Sequence, residues 1–211
     1  MDNTKSPLMH PILRDLKDNF TLTDDPRADI PAFLRHHGCP GTAAHVADVA
    51  AEARRLAIKF DVDADQAEIA GWLHDVSAVF PNTQRLAAAR ALEIDVLPEE
   101  ATFPMILHQK ISAVMGRELF GIHDEAVLSA AGCHTTLKAN ASPLDKLVFV
   151  ADKIAWDQTG TPPYIDTVRA GLRNGLDAAA LAYLRYLWER RDQLKVLHPW
   201  TVTAYEALSS G

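Results

Sequence analysis

Six side chains of this sequence combine metal-binding chemistry with positions that a helical protein normally fills with apolar residues. His45 lies one helical turn before Val49 and two before Ala53, on the same stripe. His74, directly followed by Asp75, comes four residues after Ala70, and His134 comes four after Ala130 and three after Ala131. Asp152 stands four after Val148 and three before Ala155, a carboxylate set into an apolar stripe. His108 opens the segment whose Ile111 and Met115 mark an inward face. Burying one such group without a partner costs about 1–3 kcal/mol when it is neutral and more when it is charged. Burying the whole set on separate helices makes sense if the side chains converge. Imidazole nitrogen and carboxylate oxygen bind Zn, Fe and Mn, and helix bundles hold metals between facing helices. No thiolate belongs to the set, which argues against a structural zinc and for a hydrolytic or redox centre. A single histidine on an apolar face is more often a hydrogen-bonded core residue. The ordered set changes that balance: its histidines and Asp152 are separated by 29, 34, 26 and 18 residues, about one helical hairpin each.

The elements that must position these groups read as helices throughout. Val46, Val49, Ala53, Leu56 and Phe60 recur at three- and four-residue steps, as do Leu144, Leu147, Val148, Ala151 and Ala155. The pattern predicts helices over 8–20, 27–37, 41–60, 63–74, 82–92, 108–120, 124–135, 142–156, 161–173, 176–194 and 199–208. Turn signals separate them, among them Asp25-Pro26, Phe80-Pro81-Asn82 and Leu97-Pro98. Ser142 before Pro143, with Asp145 three residues on, is N-cap chemistry with an acidic first turn. No period-two run is long enough to argue for a sheet. The expected fold is all-α: an N-terminal extension over 1–25, then one helical domain over 26–211 with its motif core at 32–156 and C-terminal helices over 161–208.

Composition narrows the function classes. The 211 residues are 48% hydrophobic and 23% charged, the balance of a globular chain. Lys and Arg number 21 against 28 Asp and Glu, a net charge of −7, so general binding to a nucleic-acid backbone is not expected. Bound metal can still give an acidic protein local affinity for phosphorylated ligands. Cys39 and Cys133 are too few for a disulfide scaffold. Neither a membrane span nor a secretory leader is visible, so the expected location is cytoplasmic, with no membrane partner.

The fragments Ala70-Gly71-Trp72-Leu73-His74-Asp75, Ile106-Leu107-His108, Cys133-His134-Thr135-Thr136 and Asp145 to Ile154, in this order, resemble the HD-domain metal-dependent phosphohydrolases. The likeness runs from about Ala32 to Trp156 and is closer to the YqeK branch, whose members are similar to symmetrical diadenosine tetraphosphate hydrolases with a di-iron centre. The resemblance implies one divalent metal held by His45, His74, Asp75 and Asp152 and a second by His108 and His134, with Asp75 bridging and with Asp75 and His74 central to catalysis. It implies iron, while the donor set also accepts Mn, Co, Ni or Zn. A metal-bound hydroxide would then cleave a phosphoanhydride or phosphoester of a nucleotide, most readily a dinucleoside polyphosphate.

Substrate contacts are expected from Thr135, Thr136, Lys110 and Lys138, all within four residues of a proposed ligand. Lys153, Trp72 and Trp156 lie near ligands as well, the tryptophans fitting core packing better than base stacking. Cys133 reads as a small buried hydrophobe, and His10, His36, His37, His123 and His198 as surface or loop residues. The aromatic-rich stretch Leu181 to Leu194 suits a closing helix or the face of a homodimer. Three departures from the branch concern the substrate side. The usual lysine after the His-Asp pair is absent from Val76-Ser77-Ala78-Val79. The glycine after His-Thr-Thr is Leu137. The acidic residue, proline and arginine after the last aspartate are Ala155, Trp156 and Gln158. They leave open a second reading, a metal-containing nucleotide-binding or regulatory module with little turnover. A di-iron oxygenase on the same scaffold is a third.

Overall fold

The structure, a computed structural model, describes residues 9–18 and 20–210. The described residues form twelve α-helices and no strand. They are α1 (Pro11–Lys17), α2 (Pro26–His36), α3 (Pro40–Phe60), α4 (Ala64–Leu73), α5 (Asn82–Ala91), α6 (Pro98–Thr102), α7 (His108–Glu118), α8 (Glu125–Cys133), α9 (Pro143–Ile154), α10 (Ile165–Gly171), α11 (Leu176–Glu189) and α12 (Pro199–Ser209). Three 3-10 turns, Val76–Val79, Pro104–Leu107 and Arg191–Gln193, complete the helical content.

Local chemistry explains the helix starts. Asp63 accepts hydrogen bonds from the N–H groups of Asp65 and Gln66 at the head of α4, and Asp124 does the same for Ala126 and Val127 at the head of α8. At α9 the expected cap is a reciprocal box: Asp145 N–H donates to Ser142 Oγ (3.1 Å), and Ser142 N–H donates to Asp145 Oδ2 (2.8 Å). The expected C-terminal helix over 176–194 ends instead at Glu189, where Arg190 leaves helical geometry (φ −112°, ψ 13°). Helix 161–173 shortens to α10 because Thr161 and Pro162 each precede a proline, which disfavours helical geometry at both. The first helix, expected over 8–20, shortens to α1, and residues 8 and 19 of that expectation lie outside the described residues. The sequence pattern misses α6 and the 3-10 turns Val76–Val79 and Pro104–Leu107, which are too short to carry a period, and runs Arg191–Gln193 into the preceding helix.

The packing centre is formed by α3, α4, α7, α8 and α9, with α2 against α3 and α4, α10 and α11 closing over α9, and α12 against α11. Fully buried apolar residues from these helices, among them Val46, Val49, Ala53, Leu73, Ile111, Leu147 and Val148, form one continuous core that also takes in Leu13 of α1. At one point α3 and α4 meet backbone to backbone. A Cβ built on Gly71 would stand 2.6 Å from Ala50 Cα and 2.8 Å from its nitrogen. Only glycine lets the two backbones meet there, and that contact brings His45 and His74 within reach of each other. No helix among the described residues is long and apolar enough to cross a membrane.

Candidate metal centre

Three of the four inward histidines stand at helix ends. His74 caps the C-terminus of α4, His134 caps α8, and His108 follows the Pro104–Leu107 turn as the first residue of α7. At the C-terminal ends of α4 and α8 the last carbonyls lack the N–H that a continuing helix would provide, whereas Met105 O, before α7, also accepts from the His108 N–H. Each imidazole turns its Nδ1 to a backbone carbonyl: 2.7 Å from Gly71 O for His74, 2.5 Å from Met105 O for His108 and 2.8 Å from Ala131 O for His134. A carbonyl only accepts, so each Nδ1 carries the proton and each Nε2 presents a lone pair inward. His45, in the body of α3, has no free carbonyl beside it. Its buried Nδ1 has no partner, and its Nε2 lies 3.1 Å from Asp152 Oδ1 in the last turn of α9.

Asp75, the residue after His74, stands between two imidazole pairs. Its Oδ2 lies 3.6 Å from His74 Nε2 and 4.0 Å from His45 Nε2, while its Oδ1 lies 3.4 Å from His108 Nε2 and 3.6 Å from His134 Nε2. Asp152 Oδ1 adds a second carboxylate at 3.6 Å from His74 Nε2. Two overlapping donor groups, His45–His74–Asp152 and His74–Asp75–His134, have all their donor atoms within 4.8 Å of one another. Within the pairs, Nε2 faces Nε2 at 3.3 Å for His45 and His74 and at 3.0 Å for His108 and His134. For His108 and His134 both nitrogens carry lone pairs, and facing lone pairs repel unless a cation or proton lies between them. Thr135 Oγ1 is 2.9 Å from one and 3.1 Å from the other, but one hydroxyl donates only one hydrogen. Nor does a proton fit readily: burial, with the charges of neighbouring imidazoles, holds the pKa of His134 well below the ordinary histidine value, and burial also lowers that of His108. The donor set therefore fits divalent cations.

The carboxylates are held ready for that role. Burial opposes ionisation of Asp75, but the three imidazoles ranged against it, His74, His108 and His134, outweigh burial and keep the group far below the usual carboxylate range. The same balance holds for Asp152, where Lys153 Nζ, 2.5 Å from Oδ2, and the His45 bond overcome burial. His45 is shifted up, because its bond to Asp152 and the two nearby carboxylates outweigh burial.

A cavity of about 400 Å³ opens onto these groups. Its wall includes Thr135, Lys153, Trp156, Tyr164 and Tyr183, so Trp156 is both packed against the core and part of the site, whereas Trp72 packs against the core alone. Of the four expected substrate contacts, Thr135 lines this cavity and Thr136, Lys110 and Lys138 do not. Thr136 is buried and bound to Gln109 and to Leu137 O. Lys110 and Lys138 line a separate, mainly apolar cavity of about 350 Å³. Lys110 is held there by Glu100 (2.8 Å) and Asp95 O (2.9 Å), and Lys138 by Ser129 (2.6 Å) and Asp145 (3.4 Å). His198, expected at the surface, is buried against Glu100 Oε1 (3.2 Å). Cys133 is a buried residue whose thiol is pushed up by burial and by Asp145.

Two positioning groups escape sequence reasoning. Buried Gln109 accepts from the N–H of Thr135 (3.1 Å) and of Thr136 (3.3 Å), fixing the turn that carries His134. Buried Ser77 donates to His108 O (2.8 Å) and accepts from Ser112 Oγ (3.0 Å), tying the turn after Asp75 to α7. Each adjoins or nearly adjoins a candidate ligand, and a polar residue on a buried face is the signal that could have found it.

Residues 42–157 match the HD domain family model. A Lactococcus lactis subsp. cremoris protein, described as an uncharacterized protein in the pepC 5' region, is 44% identical over 149 residues, covering 71% of this chain and 75% of its own length. The symmetrical bis(5'-nucleosyl)-tetraphosphatase of Halalkalibacterium halodurans is 32% identical over 171 residues, covering 78% of this chain and 87% of its own. Among solved structures, a predicted HD superfamily hydrolase involved in NAD metabolism from Clostridium acetobutylicum aligns with a TM-score of 0.78 at 26% identity, over 87% of this chain and 96% of that one.

Proposed function

Because the chain belongs to the HD-domain family of hydrolases, we propose that it is a metal-dependent phosphohydrolase whose substrate is a dinucleoside polyphosphate such as diadenosine tetraphosphate. The observation that carries the reading is the placement of Asp75, with one oxygen toward His45 and His74 and the other toward His108 and His134. In the proposal His45, His74, Asp75 and Asp152 hold one divalent cation, and His108, His134 and Asp75 hold a second, with iron as the native metal. Bound there, such a pair supplies an acidified water and a clamp on the phosphate oxygens.

The residues of the chain do the rest. Backbone carbonyls keep the imidazoles of His74, His108 and His134 in the tautomer that leaves Nε2 free. Lys153 occupies Asp152 Oδ2 and leaves Oδ1 to the histidines. Thr135 Oγ1, beside both His108 and His134, offers a hydrogen bond to a phosphate oxygen. Trp156, Tyr164 and Tyr183 give the cavity an aromatic wall on which a nucleobase stacks. The two free cysteines suit a reducing cytoplasm.

The test is a screen of phosphorylated substrates, diadenosine polyphosphates included, against protein loaded with Fe, Mn or Co under reducing conditions. Diadenosine tetraphosphate should yield ADP alone, with no ATP or AMP, and chelation should stop the reaction. Tight nucleotide binding with no product under any metal would reject hydrolysis and favour a regulatory module. That second reading draws on Lys110 and Lys138 facing away from the cavity.

A further inference from the structure

The metal-binding cluster is reached from two cavities. Besides the larger aromatic one, a cavity of about 270 Å³ shares Asp75, His108 and Met105 with it and is completed by Thr42, Ala78, Asn82 and Arg85. Arg85, in the first turns of α5, is half-buried. Its Nε donates to Phe80 O (3.1 Å) and its Nη1 to Met105 O (3.0 Å). These bonds use two of five N–H donors, and both acceptors are neutral. Arg85 forms no ion pair with a carboxylate among the described residues, in contrast to Arg27, Arg54, Arg55, Arg117 and Arg190. Burial lowers its pKa and the charge of Asp75 works against that, but a guanidinium stays protonated at any working pH. A half-buried cation with neutral partners and donors to spare, lining a cavity beside a phosphate-cleaving centre, is a site for an anion. The surroundings add no opposing charge apart from Asp75, since Thr42 and Asn82 are neutral and the first turns of α3 and α5 hold no acidic residue.

We propose that Arg85 is a phosphate-binding residue of the reaction: its guanidinium clamps the phosphoryl group adjacent to the one attacked, on the leaving half of the polyphosphate. The assignment rests on reading the cluster as a phosphohydrolase centre. In that reaction a water oxygen bonds to one phosphorus and one proton is released to solvent. The bridging oxygen departs on the neighbouring phosphate with the electron pair of the broken bond. The departing phosphate gains charge in this step, and Arg85 neutralises it. The two cavities then take the two halves of the substrate, one on each side of Asp75.

The test compares wild type, Arg85→Gln and Arg85→Lys, each loaded with manganese, with bound metal counted by mass spectrometry and with ADP and AMP titrated calorimetrically. ADP spans two phosphoryl positions and AMP only one. Glutamine keeps a donor for the Phe80 or Met105 carbonyl but removes the charge, while lysine keeps the charge. Arg85→Gln should weaken ADP by about 10- to 100-fold, the weight of a charge-assisted hydrogen bond, and AMP by less than about threefold. Arg85→Lys should recover most of the ADP affinity, and metal content should be equal in all three. Equal ADP affinities would overturn the assignment, as would equal losses for ADP and AMP. Loss of metal from both variants would overturn it too, because Arg85 would then serve Met105 and His108 rather than phosphate. Should wild type bind ADP through Arg85 yet cleave no dinucleoside polyphosphate, the proposed reaction falls and the assignment of Arg85 stands.

Discussion

Replacing Gly71 by alanine should strike stability and the metal centre together. The new Cβ would meet Ala50 Cα at 2.6 Å and Ala50 N at 2.8 Å, roughly 1 Å inside ordinary carbon contact. Both obstacles are backbone, so no side chain can swing aside and α3 and α4 must separate. Overpacking of this kind costs about 1–3 kcal/mol, and in a chain of this size that corresponds to a melting temperature lower by roughly 2–12 °C. The same separation pulls His45 away from His74, whose Nε2 atoms are 3.3 Å apart. A misplacement near 1 Å costs on the order of 100-fold in rate. Thermal melting, bound-metal content and kcat/KM on one preparation would measure all three effects. A Gly71→Ala protein that melts with wild type and keeps its metal and turnover would refute the argument that this glycine sets the spacing of the site. Gly132 provides a control: a Cβ there would meet only the Ala113 methyl at 3.4 Å, so Gly132→Ala should be nearly silent.

Other consequences are open to measurement. Asp75→Asn keeps the shape of the side chain but removes the charge that faces all four imidazoles. Bound metal, read by mass spectrometry, should fall and turnover should drop by at least about 1000-fold. Gln109→Leu leaves the N–H groups of Thr135 and Thr136 unpaired in the interior and should cost about 1–3 kcal/mol in denaturant unfolding, with weaker metal retention as the His134 turn loosens. Glu100 gives a pH signature. Burial alone would raise its pKa, but hydrogen bonds from His198, Lys110 and the Leu97 N–H outweigh it, so the folded value lies below 4.5. A depressed carboxylate stabilises the fold above its unfolded pKa and loses that contribution as pH falls through the folded one. Wild type should therefore lose stability as pH falls below 4.5, and Glu100→Ala should lack that component while being about 3–5 kcal/mol less stable at neutral pH through the stranded Lys110 and His198. A Glu100→Ala protein with an unchanged acid-unfolding profile would count against that assignment.

The helical architecture and the meeting of the six donors were legible in the sequence for one reason. Polar groups on apolar stripes are expensive unless they face one another, and the stripe of each helix is local information. Direction beyond the stripe was not legible. Lys110 follows His108 by two residues on a helix, and at 100° per residue it points to the far side. Lys138 follows His134 by four, a same-face spacing only while a helix continues, but α8 ends at Cys133 and Leu137 turns the chain at φ +57°. That left-handed position explains why the resembling branch has glycine there, whereas here the side chain of Leu137 is fully buried in the core. Arg85 and His198 were out of reach because what they touch, Met105 in one case and Glu100 in the other, is distant along the chain.

The interruptions of α4 and α8 orient two of the candidate ligands. Were α4 to continue by one more turn, the carbonyl of Gly71 would be claimed by the amide four residues on, and the His74 ring would lose the acceptor that orients it; Ala131 stands in the same relation to His134. The site is thus coupled to end-fraying of its helices. Warming that loosens only these terminal turns would scramble the ring orientations, so metal should be released before the core melts.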